Sequence, residues 1–192
     1  MILSESGCDA LGFVFYKRSP RYISPEAVVK MSRHISGKVI KVGVFVNEKE
    51  GPIRRIAKLC DLDMLQFHGD ESPDFCERFK DMKIIKAFRV KNCIDYKKIT
   101  KYNTFAYLFD TFIQGKAGGT GKQFDWRLLR RIAGLRRPVF LSGGLSAENV
   151  LGAIKCAKPN WVDVSTGVES APGKKDYRKA KEFIKLVKEG KG

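Results

Sequence analysis

Two apolar runs near the C-terminus end in small residues: Val139-Phe140-Leu141-Ser142-Gly143-Gly144 and Val162-Asp163-Val164-Ser165-Thr166-Gly167. Each reads as a buried strand that opens into a glycine turn and then a helical pattern. Glycine lets backbone approach a ligand because no Cβ intervenes. A turn that feeds a helix start aims N–H groups at an anion. Gly143, Gly144, Ser165 and Gly167 are therefore candidates for a cup that holds one phosphate. Other polar side chains stand where apolar runs give out. Asp110 closes Tyr107-Leu108-Phe109. An acid there is costly unless solvated, paired or employed, so it is a working carboxyl, a helix cap or a salt-bridge partner. Arg21, in Lys17-Arg18-Ser19-Pro20-Arg21-Tyr22, is either an exposed loop cation or a guanidinium fork for carboxylate or phosphate; Lys17 and Arg18 are equally cationic neighbours. Gln66 and His68 alternate, which puts both on one face of a strand. His68 then binds a substrate group or satisfies a loop carbonyl. Asp163 alternates with Ser165 and either orients a ligand or serves as a hydrogen-bond hub.

Those positions need a scaffold, and the remaining pattern supplies one. Apolar, β-rich runs recur at Ala10–Phe15, Val39–Val46, Asp63–His68, Lys83–Val90, Phe105–Asp110, Pro138–Ser142 and Trp161–Ser165. Near-continuous apolar character is expected of parallel strands buried on both faces. Helical patterns separate them. Ser24-Pro25-Glu26 and Ser72-Pro73-Asp74 carry a serine cap followed by proline at the first helical position. Further helices are expected over Glu48–Leu59, Ile94–Lys101, Asp125–Ile132, Ser146–Cys156 and Lys175–Val187. Strand–helix alternation of this kind gives an α/β fold with right-handed crossovers. In a (β/α)8 barrel the working residues lie at the C-terminal strand ends, and the loops after strands seven and eight often build a phosphate site. Seven strands are visible where eight are expected. Met1-Ile2-Leu3 followed by Ser4-Glu5-Ser6-Gly7 reads as a helix end with a glycine stop. The expectation is one barrel domain over residues 1–192, with strand 1 and most of helix 1 missing. Gly115, Gly118, Gly119 and Gly121 lie in the longest irregular stretch, Thr111–Gln123, which suggests a loop over a site.

Bulk properties narrow the class. The chain has 192 residues, of which 43% are hydrophobic, suiting a folded domain with a real core. No apolar run approaches the roughly 20 residues that span a bilayer, and the N-terminus lacks a secretory pattern; a cytoplasmic protein is expected. The five cysteines show no metal-ligand spacing, so no metal is expected. Net charge is +16, from 37 Lys+Arg against 21 Asp+Glu. The basic residues are spread along the chain, which fits attraction of a small anionic substrate better than a nucleic-acid surface.

Taken together, these segments resemble phosphoribosylanthranilate isomerase, a (β/α)8 enzyme of tryptophan biosynthesis. The resemblance rests on Ala10-Leu11-Gly12-Phe13-Val14-Phe15 with Ser19-Pro20-Arg21-Tyr22-Ile23, Lys41-Val42-Gly43-Val44-Phe45-Val46-Asn47, and Leu65-Gln66-Phe67-His68-Gly69. It continues through Phe109-Asp110-Thr111, Gly118-Gly119-Thr120-Gly121-Lys122, Leu141-Ser142-Gly143-Gly144-Leu145 and Asp163-Val164-Ser165-Thr166-Gly167-Val168-Glu169. It implies an Amadori rearrangement of N-(5-phosphoribosyl)anthranilate without metal or organic cofactor. It also implies Asp110 as general acid, Arg21 on the anthranilate moiety, His68 and Asp163 lining the site, and Gly143, Gly144, Ser165 and Gly167 on the phosphate. The family's general base is a cysteine that ends strand one, in a Lys-Ile-Cys-Gly-type segment absent from this sequence. Cys8 corresponds to a small residue instead. The alternative is a non-catalytic phosphosugar-binding remnant. Exposed strand edges would favour a homodimer or aggregation.

Overall fold

In the computed structural model, residues 6–111, 125–132 and 134–190 are described. Seven parallel strands form one sheet in chain order: β1 (Ala10–Val14), β2 (Ile40–Phe45), β3 (Met64–Phe67), β4 (Lys83–Val90), β5 (Ala106–Thr111), β6 (Val139–Leu141) and β7 (Trp161–Val162). Between them lie α1 (Pro25–Ser32), α2 (Glu50–Leu59), α3 (Pro73–Glu77), α4 (Tyr96–Ile99), a 3-10 helix (Trp126–Ile132) and α5 (Val150–Ala157), and α6 (Tyr177–Glu189) closes the chain. The fold is thus α/β with a parallel sheet. The expected helix end at Met1-Ile2-Leu3 lies outside the described residues, as does the glycine loop with Gly115, Gly118, Gly119 and Gly121.

The two faces of the sheet bury different clusters. Val42, Met64, Ile85, Ala87, Ala106, Leu108 and Phe140 pack together on one face. Phe45, Leu65, Phe67, Phe88, Phe109 and Leu141 face the helices with Ile53, Phe79 and Val150. Period-two alternation along each strand sorts the residues in this way. Ser24 and Ser72 accept the backbone N–H groups of Ala27 and Phe75, so both serine–proline helix starts form as expected.

Several boundaries depart from the sequence pattern. β7 has two residues rather than five. The Asp163 N–H still donates to the Leu141 carbonyl at 2.8 Å, but Ser165 turns away at φ −121°, ψ −78° and a short 3-10 helix (Thr166–Val168) follows. The stretch ending at Ile132 is 3-10 rather than α-helical. α5 begins at Val150, because Ser146 to Asn149 form a turn in which the Ser146 N–H donates to Asn149 Oδ1. Leu59 is 52% exposed, since six residues of helix rotate it away from Ile53. An antiparallel hairpin, β8 (Glu169–Ala171) with β9 (Lys174–Lys175), takes Lys175 out of the helix expected from that residue, and the helix starts at Tyr177.

Candidate active site

The polar residues at the strand tips continue the inner face of the sheet. Ala106 and Leu108 lead to Asp110, and Phe140 leads to Ser142. Met64 leads to Gln66 and His68, and Trp161 leads to Asp163. Each lies two residues, or for His68 four, beyond an apolar inner residue, so each side chain enters the same mouth at the C-terminal end of the sheet. Arg89 follows Ile85 and Ala87 by the same rule, and it pairs with Asp110 in the β4–β5 register. Sequence reading missed it, although the alternation was available.

Asp110 is only 5% exposed. Its Oδ1 accepts the Thr111 N–H at 2.8 Å, and its Oδ2 lies 3.2 Å from His68 Nε2. His68 Nδ1 lies 3.0 Å from Gln66 Oε1. A chain of three side chains therefore runs from β3 to β5. Gly143 sits against this acid at φ +92°; a Cβ there would collide with Thr111 and with Asp110 Oδ1. The turn after β6 thus needs glycine in order to admit the carboxyl beneath it. Asp163, partly buried in the same mouth, accepts a weak 3.4 Å hydrogen bond from Ser142 Oγ. Burial pushes its carboxyl above the usual carboxylate range, the neighbouring charge of Asp110 adds to this, and His68 and Lys175 oppose it.

The two glycine turns touch. A Cβ on Gly167 would run into the Leu145 carbonyl and the Ser146 backbone. Gly143 and Gly144 are both at positive φ, and the Gly144 carbonyl accepts from Asn149 Nδ2 at 2.8 Å. Gly143 thus stands against Asp110, and the Gly167 turn, which follows Ser165, meets the backbone that follows Gly144.

Arg21 reaches the same rim from the loop after β1. Its Nε and Nη2 donate to the two carboxylate oxygens of Glu169 at 2.9 and 2.6 Å, and Nη2 also donates to Thr166 Oγ1 at 3.2 Å. Lys17 and Arg18 remain exposed. Burial pushes the Glu169 carboxyl up, but its bonds to Arg21 and Lys175 outweigh this and hold it below its ordinary value. Lys175 Nζ bridges Glu169 Oε1 and the Ser165 carbonyl at 3.1 and 2.9 Å. Glu169 was not singled out from sequence. It is 148 residues from Arg21, so no local spacing could pair them.

Cys60 and Cys76 are buried among the helices, and burial pushes the Cys76 thiol up to about 11. Cys8, ahead of β1, is likewise raised by burial. Such thiols are poor nucleophiles near neutral pH. Among the described residues no group of three His, Cys, Asp or Glu side chains is arranged to hold a metal ion.

The sequence model for "N-(5'phosphoribosyl)anthranilate (PRA) isomerase" matches residues 1–186. The chain belongs to the phosphoribosylanthranilate isomerase family. It is 43% identical over 192 residues to the N-(5'-phosphoribosyl)anthranilate isomerase of Syntrophus aciditrophicus, covering all of this chain and 83% of that one. It is 44% identical to that of Thermotoga neapolitana, covering 96% and 90%. The crystal structure of the Thermotoga maritima isomerase superimposes with a TM-score of 0.91 at 43% identity, covering 97% and 92% of the two chains. An isomerase solved in complex with reduced 1-(o-carboxyphenylamino)-1-deoxyribulose 5-phosphate gives a TM-score of 0.87 at 42% identity, covering 97% and 91%. The span matched to the isomerase family includes every polar residue of the mouth, from Arg21 to Lys175.

Proposed function

We propose that this chain isomerises N-(5'-phosphoribosyl)anthranilate to its 1-deoxyribulose 5-phosphate product, a step of tryptophan biosynthesis in the cytoplasm. The observation that carries this reading is the carboxyl of Asp110, buried beside the Gly143 turn and faced by His68. The glycine turns offer backbone to the substrate phosphate. Arg21, its plane set by Glu169, takes the anthranilate carboxylate. His68 and Asp163 line the sugar.

Asp110 donates its proton to the furanose oxygen as the C1–O bond breaks, while the anilino nitrogen supplies electrons to form the C1=N bond of a Schiff base. Removal of the C2 proton then moves the C2–H electrons into a C1=C2 bond, returning the nitrogen's pair and giving an enolamine. The enol collapses to a ketone at C2 as C1 takes up a proton. C1 is reduced while C2 is oxidised, so the rearrangement balances within one molecule. Positioned proton transfer of this kind contributes roughly 10²- to 10⁴-fold. The family's cysteine base has no counterpart among the residues assigned here.

Seven strands in chain order fit a cylinder closed by an eighth strand, seated between β7 and β1. One barrel-type domain is the unit we infer. The positive net charge of +16 fits attraction of an anionic substrate rather than a nucleic-acid role. No observation in the fold favours a non-catalytic remnant. The test is conversion of phosphoribosylanthranilate by the purified chain and its loss in Asp110→Asn. Conversion retained in that variant would remove Asp110 from the acid role.

A further inference from the structure

Behind the mouth the protein buries a lysine. Lys86 is 2% exposed and lies on the helix-facing side of β4, between Ile84 and Phe88. Burying an ammonium is expensive unless every proton is bonded. An ammonium has three N–H donors, and Nζ of Lys86 has three acceptors: the Phe67 carbonyl at 3.1 Å, the Gly69 carbonyl at 2.8 Å and Glu71 Oε2 at 2.9 Å. Phe67 and Gly69 are the two residues that flank His68.

Glu71 completes the clamp. Its Oε1 accepts the Asn47 N–H at 2.8 Å, and its two oxygens share the Gly69 N–H at 3.2 and 3.0 Å. Its own carbonyl accepts from the Tyr102 hydroxyl at 3.0 Å. The His68 N–H donates to Phe45 at 2.9 Å. The backbone on either side of His68 is thus tied to β2, β4 and the α4 end at once, and the imidazole is left facing Gln66 and Asp110. An apolar side chain at position 86 would avoid the desolvation cost, so the ion pair is an unusual choice if packing were its only role.

We propose that Lys86 and Glu71 are positioning residues for His68, fixing its peptide so that the imidazole meets Asp110. The functional meaning rests on Asp110 as the acid, but the positioning itself does not. The imidazole faces the neutral Gln66 amide and the Asp110 carboxyl; the other charged groups at this mouth are Asp163 and the Arg89–Asp70 pair at the neighbouring strand tips, 3.6 Å apart.

The test uses the full chain without substrate. It has two histidines, His34 and His68, so each imidazole gives its own NMR signals. The movement of the His68 ring signals on Asp110→Asn is measured at one fixed pH, first in the native background and then in Lys86→Met/Glu71→Gln. Removing the carboxylate that faces Nε2 is expected to move the His68 ring signals in the native background and to move them less than about half as far in the clamp variant, with His34 unchanged. A movement of equal size in both backgrounds overturns the proposal and leaves the isomerase reading intact. If the double variant does not fold, Glu71→Gln alone replaces it, since Lys86 keeps its two carbonyls. The movement should then again be visibly smaller than the native one, and an undiminished movement overturns the proposal. A failed isomerase assay does not affect this measurement.

Discussion

Asp163 shares its mouth with Asp110 and His68, and that neighbourhood sets how Asp163 ionises. Asp163 is raised by burial and then by Asp110. In the folded chain it therefore keeps its proton at pH values where the unfolded chain has lost it. Folding stability is fully present below the unfolded value and falls as pH rises through the raised one. Asp163→Asn never ionises and escapes that loss. Thermal melting should show little difference between variant and parent near pH 4 and a higher melting temperature for the variant at pH 7. A difference that is flat or reversed with pH contradicts this. Much of the mouth was legible at this scale. Asp110, His68 and Asp163 each end an apolar alternation, and the structure keeps that face. The open choice between a site residue and a loop cation at Arg21 could not be resolved locally, because its partner Glu169 comes from the far end of the chain.

Elements decide how closely those groups approach. The turn after β6 holds Gly143 at φ +92° against Thr111 and Asp110. Gly143→Ala forces a residue with a Cβ into left-handed backbone, which costs roughly 1–2 kcal/mol, and pushes the acid out of place. Urea unfolding should show a loss of about 1–3 kcal/mol, with turnover reduced at least about tenfold. Parent-like stability and rate would show that the turn has room to spare. Strand and helix order was readable because parallel strands buried on both faces are nearly continuous apolar runs. What the pattern missed were elements fixed by contacts rather than composition. β7 is cut short by the Ser165 turn. The β8–β9 hairpin packs its Gly173 turn so close that an added Cβ would stand 3.0 Å from the Pro20 carbonyl oxygen, beside Arg21. Neither has a periodic signature. Lys86 read as one residue of an apolar run, and only its contacts show the clamp.

At the scale of the molecule, a parallel sheet of seven strands leaves β1 and β7 with one strand neighbour each among the described residues. Sheet edges invite further pairing. Light scattering on the 192-residue chain, mass 21.7 kDa, should therefore report a dimer or larger species; a stable monomer with a single cooperative melt would contradict it. The proposed function calls for one arrangement: a phosphate held at the glycine turns, a carboxylate held at Arg21, and the proton of Asp110 delivered between them. The most direct measurement pairs two readings on Asp110→Asn, turnover of phosphoribosylanthranilate and calorimetric binding of reduced 1-(o-carboxyphenylamino)-1-deoxyribulose 5-phosphate. Turnover should fall by roughly 10²-fold or more while the analogue binds within a few-fold of its affinity for the parent chain. Parent-like turnover, or loss of analogue binding in proportion to turnover, would contradict a proton-donating Asp110.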